Sequence, residues 1–384
     1  MRGLGFLIFV ALTVICWGVY GPVLHQGQHA MGADGQLSSL RPFICVGIAY
    51  FLIAVLFPIF VLYGKGEKGH WTIGGFFWSF VAGALGAVGA LGIILAFKFQ
   101  GKPAYVMPLV FGGAPVVNTL VTMAMSRTFK EASPFFYAGV IIVAIGAAGV
   151  LTFKPKEAAH APAVAKSVSV ETNEKASSPS SESESKSDSK TADVSEQKSA
   201  GSTTDSKPVS TQPQSANYFM IIFSIALTAL CWGTYGPVLH CGQMEMGQSR
   251  LRPFLCVGLA YFLIAVVATY FMLPVFPEAG GWTFIGITWS LLGGVAGAFG
   301  ALGIIYAFNA GGKPIFVMPL VFGLAPVVNT FSEMVTKGLY DQIPRPFYLS
   351  LALTILGAVT VLVCAPKSHA KQLTVEKTVD PYQS

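Results

Sequence analysis

Ten apolar stretches dominate this chain, at 4–24, 43–63, 73–97, 104–125, 134–153, 217–239, 254–274, 283–308, 315–336 and 346–364. An α-helix rises about 1.5 Å per residue, so roughly 20 such residues cross the ~30 Å hydrocarbon core of a bilayer. Within hydrocarbon a backbone N–H or C=O finds no water, and each stretch must satisfy its own hydrogen bonds as a helix or join a closed barrel. Barrel strands alternate apolar and polar residues, which these runs do not. The chain is 53% hydrophobic and 11% charged, more apolar than one water-soluble core can hide. The sequence therefore predicts an all-α integral membrane protein with ten transmembrane helices.

The runs come in two sets. Residues 16–28 read CWGVYGPVLHQGQ, and residues 231–243 read CWGTYGPVLHCGQ. LRPFICVGIAYFLIAV at 40–55 returns as LRPFLCVGLAYFLIAV at 251–266, and GKPAYVMPLVFGGAPVVNT at 101–119 returns as GKPIFVMPLVFGLAPVVNT at 312–330. Trp71 and Trp78 match Trp282 and Trp289. Residues 1–153 and 217–366 thus read as two five-helix repeats. Five is odd, so the second copy is expected to enter the bilayer from the opposite side, giving two inverted five-helix repeats with both termini on one side. Between them, residues 154–216 hold no aromatic, Leu or Ile and are dense in Ser, Lys, Glu, Ala and Thr, a composition that predicts a disordered linker. Residues 367–384 read as a disordered tail.

The opening MRGLGFLIFVALTVIC imitates a secretory signal, but its counterpart lies inside the chain, so it reads as a retained first helix. The six cysteines are too few and too deep in apolar runs for a disulfide framework. Outside the linker stand 16 basic and nine acidic residues, and the basic ones slightly favour the side holding the termini, which places that side in the cytoplasm.

Several residues inside the runs are candidates for chemistry. Trp17 and Tyr20 share one helical face, Gly21-Pro22 is expected to break the helix, and His25 follows where the helix should end. Trp232, Tyr235 and His240 repeat the arrangement. These side chains read either as ordinary packing and interface anchors or as the lining of a central space. The fourth and ninth runs each carry two prolines seven residues apart, which predicts distortion, and three residues later Asn118 and Asn329 place amides at membrane depth. Glu333, four residues past Asn329, is the one acid outside the linker that falls within an apolar run. It reads as a proton- or cation-coupling group or as the partner of Lys337 in an interfacial i,i+4 pair. Gly83, Gly86, Gly89 and Gly92, matched by Gly294, Gly297, Gly300 and Gly303, lay a strip of glycine along the third and eighth runs for close helix packing or for pocket lining. Arg41 and Arg252 open the second and seventh runs, where headgroup contact or attraction of an anion is expected. No nucleophile elbow, paired acids or nucleotide loop is present, and no metal-binding histidine pair at helical spacing is expected, so the reading is of a protein that is no enzyme and needs no cofactor or metal.

Two five-helix repeats, an early Trp-Gly in the first helix of each, and a glycine-rich third helix leading into a proline-bearing fourth together resemble the drug/metabolite transporter superfamily. The likeness is to its ten-helix branch with EamA-like repeats and to the related sugar permeases, and it covers all but the linker and tails. It implies a pocket between the halves, lined from the first, third, fourth, sixth, eighth and ninth helices, and so points at Trp17, Tyr20, Asn118, Trp232, Tyr235 and Asn329. The expectation is a secondary transporter of a small polar metabolite such as a sugar, nucleoside or amino acid, multi-pass in the inner membrane, working by alternating access. Its partners would be that small molecule and the lipid bilayer, with no nucleic acid and a homodimer left open. A membrane sensor or scaffold using the Ser-rich linker, and a flippase for lipid-linked sugars, are the alternatives.

Overall fold

A computed structural model of the chain describes residues 5–34, 36–99, 103–153, 217–338 and 343–366. The expected linker at 154–216 and tail at 367–384 lie outside the described residues. The architecture is helical, with no strand among the described residues. In chain order the long helices are α1 (Phe6–Met31), α2 (Leu40–Gly64), α3 (Ile73–Lys98), α4 (Pro103–Ser126), α5 (Pro134–Thr152), α6 (Tyr218–Glu245), α7 (Leu251–Val275), α8 (Phe284–Asn309), α9 (Pro314–Lys337) and α10 (Arg345–Cys364). Each contains a stretch long and apolar enough to span a bilayer. Large apolar side chains such as Phe60, Ile73, Phe135 and Val363 point outward, a surface suited to lipid and not to water. The chain is a multi-pass membrane protein by these ten helices.

Helix starts follow local chemistry. The Ser133 hydroxyl accepts from the Phe136 N–H, the Thr283 hydroxyl from the Gly286 N–H, and the Asn217 amide oxygen from the Met220 N–H, each satisfying an end donor that a first helical turn leaves open. Pro134 and Pro314 occupy first-turn positions, where a missing N–H costs nothing.

The expected breaks are absent. Helix α1 runs through Pro22 to Met31 and α6 through Pro237 to Glu245, so His25 and His240 lie within helices and not at their ends. Helix α9 is likewise continuous through Pro319 and Pro326, and α4 through Pro115. A proline ring presses on the carbonyl four residues earlier. The residue four before is Gly18 for Pro22 and Gly233 for Pro237, but Ile315 for Pro319 and Phe322 for Pro326, so the helices accommodate proline with or without glycine there. The irregular turns fall elsewhere. Residues Phe51–Leu56 of α2 and Phe262–Ala268 of α7 form matching π-helical turns, in which a wider loop of backbone holds an extra residue. In α7 the Thr269 hydroxyl donates to the carbonyl of Ile264, five residues back, in keeping with that wider spacing.

Helices pair mostly with the other repeat. Helix α1 lies along α8 and α6 along α3; α2 packs on α8 and α7 on α3; α5 packs on α10. The glycine strips explain the closeness. A Cβ at Gly294 would meet the Val46 backbone at 2.8 Å, and one at Gly83 the Val257 backbone at 2.7 Å, so only glycine admits these crossings. At the centre Tyr50 of α2 stacks on Tyr261 of α7, with ring centroids 3.9 Å apart and planes 5° from parallel.

Candidate functional site

The glycine strips also seat two indoles. A Cβ on Gly300 would collide with the Trp17 ring, and one on Gly89 with the Trp232 ring. Pressed against glycine, each indole N–H reaches a backbone carbonyl of the facing helix: Trp17 Nε1 donates to Gly297 O and Trp232 Nε1 to Gly86 O, both at 3.2 Å. One turn earlier, Thr13 and Thr228 donate their hydroxyls to Gly300 O and Gly89 O, both at 3.1 Å. The indoles are thereby fixed at matched positions, with their donors already engaged.

Between them lies a cavity of about 90 Å³. Ten of the residues around it form matched pairs from the two repeats: Trp17 with Trp232, Tyr20 with Tyr235, Tyr50 with Tyr261, Phe111 with Phe322, and Gly86 with Gly297. Val46 and Ala90 complete the wall. Among the described residues no Asp, Glu, Lys, Arg or His lines it; its polar groups are four phenol hydroxyls, of which those of Tyr50 and Tyr261 bond to each other. That of Tyr235, a residue only 4% exposed, has no protein hydrogen-bonding partner among the described residues. An unpaired buried hydroxyl costs about 1–3 kcal/mol, which a ligand group placed opposite it would recover.

The sequence-derived candidates divide accordingly. Trp17, Tyr20, Trp232 and Tyr235 come together around the cavity. Asn118 and Asn329 do not line it. Fully buried Asn118 donates through Nδ2 to Pro314 O at 2.9 Å and so ties α4 to the start of α9, while Asn329 lies against Gly21 of α1. His25 and His240 also stand away from it. The ring of His240 meets Phe308 edge to face at 5.0 Å. His25 and His29, four residues apart on α1, approach with their Nε2 atoms 3.0 Å from one another, so a histidine pair at helical spacing does exist, against the expectation from sequence. No group of three or more metal-binding side chains gathers among the described residues. Glu333 lies in α9 outside the cavity wall, and its expected pairing with Lys337 falls on a side chain outside the described residues. Arg41 and Arg252 reach loop carbonyls: Arg41 donates to Ala279 O and Glu278 O, both at 3.1 Å, and Arg252 to Lys68 O at 3.3 Å.

The reading from sequence passed over Tyr50, Tyr261, Phe111 and Phe322. Their signal was present, since each is an aromatic residue kept at the same place in both repeats, within AYFLIAV and PLVFG.

No known protein family and no curated protein matches this chain in sequence. One solved crystal structure, 14% identical to it, shares the fold with a TM-score of 0.56 over 95% of this chain and 100% of its own length.

Proposed function

We propose that the protein is a secondary transporter of a small, ring-bearing solute, which it moves by alternating access between its two repeats. The repeats are read as inverted in the membrane, both termini as cytoplasmic and the membrane as the inner one, in keeping with the resemblance to the drug/metabolite transporter superfamily. The observation that carries this reading is the cavity whose wall is contributed pairwise by equivalent residues of the two halves. A binding site at the junction of two repeats is exposed to alternate sides when one half rocks against the other, and it needs no power source beyond a solute or ion gradient.

The wall narrows the substrate. Aromatic faces stack on rings, and phenol hydroxyls serve a few polar substituents. The two charges of an amino acid would find no counter-ion there, which favours a sugar, nucleoside or similar ring among the small polar metabolites. At about 90 Å³ the space is smaller than the ~150 Å³ engineered cavity that admits benzene, so the substrate-bound form must be wider than this one. Reconstituting the purified protein in liposomes and following uptake across a panel of labelled sugars, nucleosides and amino acids tests the reading. Replacing Ala90 with Leu puts bulk into the cavity and should abolish flux while leaving insertion and folding intact. Undiminished flux in that variant would remove the cavity from the transport path.

A further inference from the structure

The loops that follow α2 and α7 carry the same pattern, Glu67-Lys68-Gly69-His70-Trp71 and Glu278-Ala279-Gly280-Gly281-Trp282. Each loop reaches across to the other repeat and grips the connection between that repeat's first two helices. Glu67 accepts hydrogen bonds from the Ser249 hydroxyl at 2.6 Å and from the N–H groups of Arg250 and Leu251 at 2.9 and 3.1 Å. Its carboxylate thus caps the start of α7, where the open amide donors of a helix favour negative charge. Glu278 does the same to α2, accepting from the Ser38 hydroxyl at 2.8 Å and from the N–H groups of Ser39 and Leu40 at 2.9 and 2.8 Å.

The arginine one residue into each capped helix completes the grip. Arg252 stands 3.8 Å from the Glu67 carboxylate and Arg41 3.9 Å from that of Glu278. Two residues past each glutamate comes a glycine with positive φ, +103° at Gly69 and +84° at Gly280. A Cβ at Gly69 would strike the Met246 carbonyl and one at Gly280 the Met31 carbonyl, so glycine lets each loop lie flat on the end of the opposing first helix. The next residues hold it there: the His70 N–H donates to Met246 O at 3.3 Å and the Gly281 N–H to Met31 O at 3.1 Å. Thr72 and Thr283 add hydroxyl bonds to Glu245 O and Ala30 O. The strap of Glu67 has one further cation, Arg250, bound at 3.0 Å where the other strap has Ser39.

Resting on the reading of an alternating transporter, we propose that these two reciprocal straps are its gates, one for each mouth of the cavity, and that transport requires one to release while the other stays closed. Both are closed in this structure, which fits a cavity too small for a ring. Each carboxylate fastens the turn that joins a cavity-lining first helix to the second helix bearing Tyr50 or Tyr261. Releasing it therefore frees the two elements that must part for a solute to enter.

The test reads accessibility, which needs no knowledge of the substrate. In protein with its six cysteines replaced, Ala90→Cys reports on the cavity, and a membrane-impermeant maleimide is applied from either side of oriented proteoliposomes. Glu67→Gln should raise labelling at least fivefold from one side only, and Glu278→Gln at least fivefold from the opposite side only. Unchanged labelling in both variants, or a rise from the same side in both, overturns the proposal. Should either glutamine variant fail to fold, Ser249→Ala and Ser38→Ala remove one strap bond each, and the same opposite-sided rise, of twofold or more, is required. Failure of the transport reading looks different: one-sided labelling by each strap variant together with undiminished flux in Ala90→Leu would retain the gates and discard the cavity as the route.

Discussion

Replacing Tyr235 with Phe should make the empty protein more stable and its ligand-bound form weaker. The hydroxyl is buried with no protein partner among the described residues, and a hydroxyl left so costs the native state up to about 1–3 kcal/mol. Deleting one oxygen forfeits a handful of dispersion contacts at about 0.1–0.2 kcal/mol each, which offsets part of the gain and leaves a net stabilisation of about 1–2 kcal/mol. Thr228→Val is the opposite control. Its hydroxyl is bound to Gly89 O at 3.1 Å and Ser224 O at 2.9 Å, and losing it should cost about 0.5–1.5 kcal/mol. Both changes can be followed in detergent-purified protein by urea or thermal unfolding monitored through helix content. Ligand binding supplies the second half of the argument. A solute whose polar substituent pairs with the Tyr235 hydroxyl should bind Tyr235→Phe roughly tenfold less tightly, since 1.4 kcal/mol is a factor of ten. A Tyr235→Phe protein less stable than the parent would refute the reasoning, because it would show that the hydroxyl is already satisfied.

Gly300→Ala and Gly89→Ala should each push an indole off its glycine seat, at about 1–3 kcal/mol of overpacking, and shift tryptophan fluorescence; an unchanged spectrum and stability would contradict the seating described above. Burial works against the charge on Glu67, but its bonds from Ser249, from the Arg250 and Leu251 amides and from the Arg250 side chain outweigh it and hold the carboxyl below its ordinary value. Its contribution is therefore complete above the ordinary carboxylate range, near about 4.3, and is lost as pH falls through the lowered folded value. Thermal stability of the parent should fall more steeply than that of Glu67→Gln in that acid window, and parallel curves would count against the strap. The double variant Asn118→Leu, Asn329→Leu should lose stability while keeping ligand affinity, because neither amide reaches the cavity; a tenfold loss of affinity in a folded protein would return them to the site.

The ten spans and their division into two sets were legible because bilayer thickness imposes a run length and duplication leaves long identical strings. Helix ends were less legible. Pro22 and Pro237 looked like breaks, but α1 and α6 run on through them, since a proline inside a helix removes one ladder bond while the packed helices on either side hold the rest of the ladder in place. The π-helical turns at Phe51–Leu56 and Phe262–Ala268 leave no mark in a hydropathy profile, since the segment is apolar whatever its winding. At the site, Trp17, Tyr20, Trp232 and Tyr235 could be singled out because aromatic residues on one face of a repeated helix have few reasons to recur. The amides stand off the cavity wall for an instructive reason: a polar group at membrane depth seeks a partner, and for Asn118 Nδ2 that partner is the Pro314 carbonyl at a helix start. Glu67 and Glu278 escaped notice because they stand in loops, where an acid looks ordinary until its partners on a distant part of the chain are known.

The exchange of partners between the repeats bears on how such a chain can be made at all. Helix α1 finds its principal neighbour in α8 and α6 finds its own in α3, so either set of five, synthesised alone, would expose a long seam of glycine and threonine to lipid. A half expressed by itself should be degraded or should pair with a second copy of itself, whereas the two halves produced together as separate polypeptides should find one another. Continuity of the polypeptide through residues 154–216 would then serve to deliver the halves in equal number.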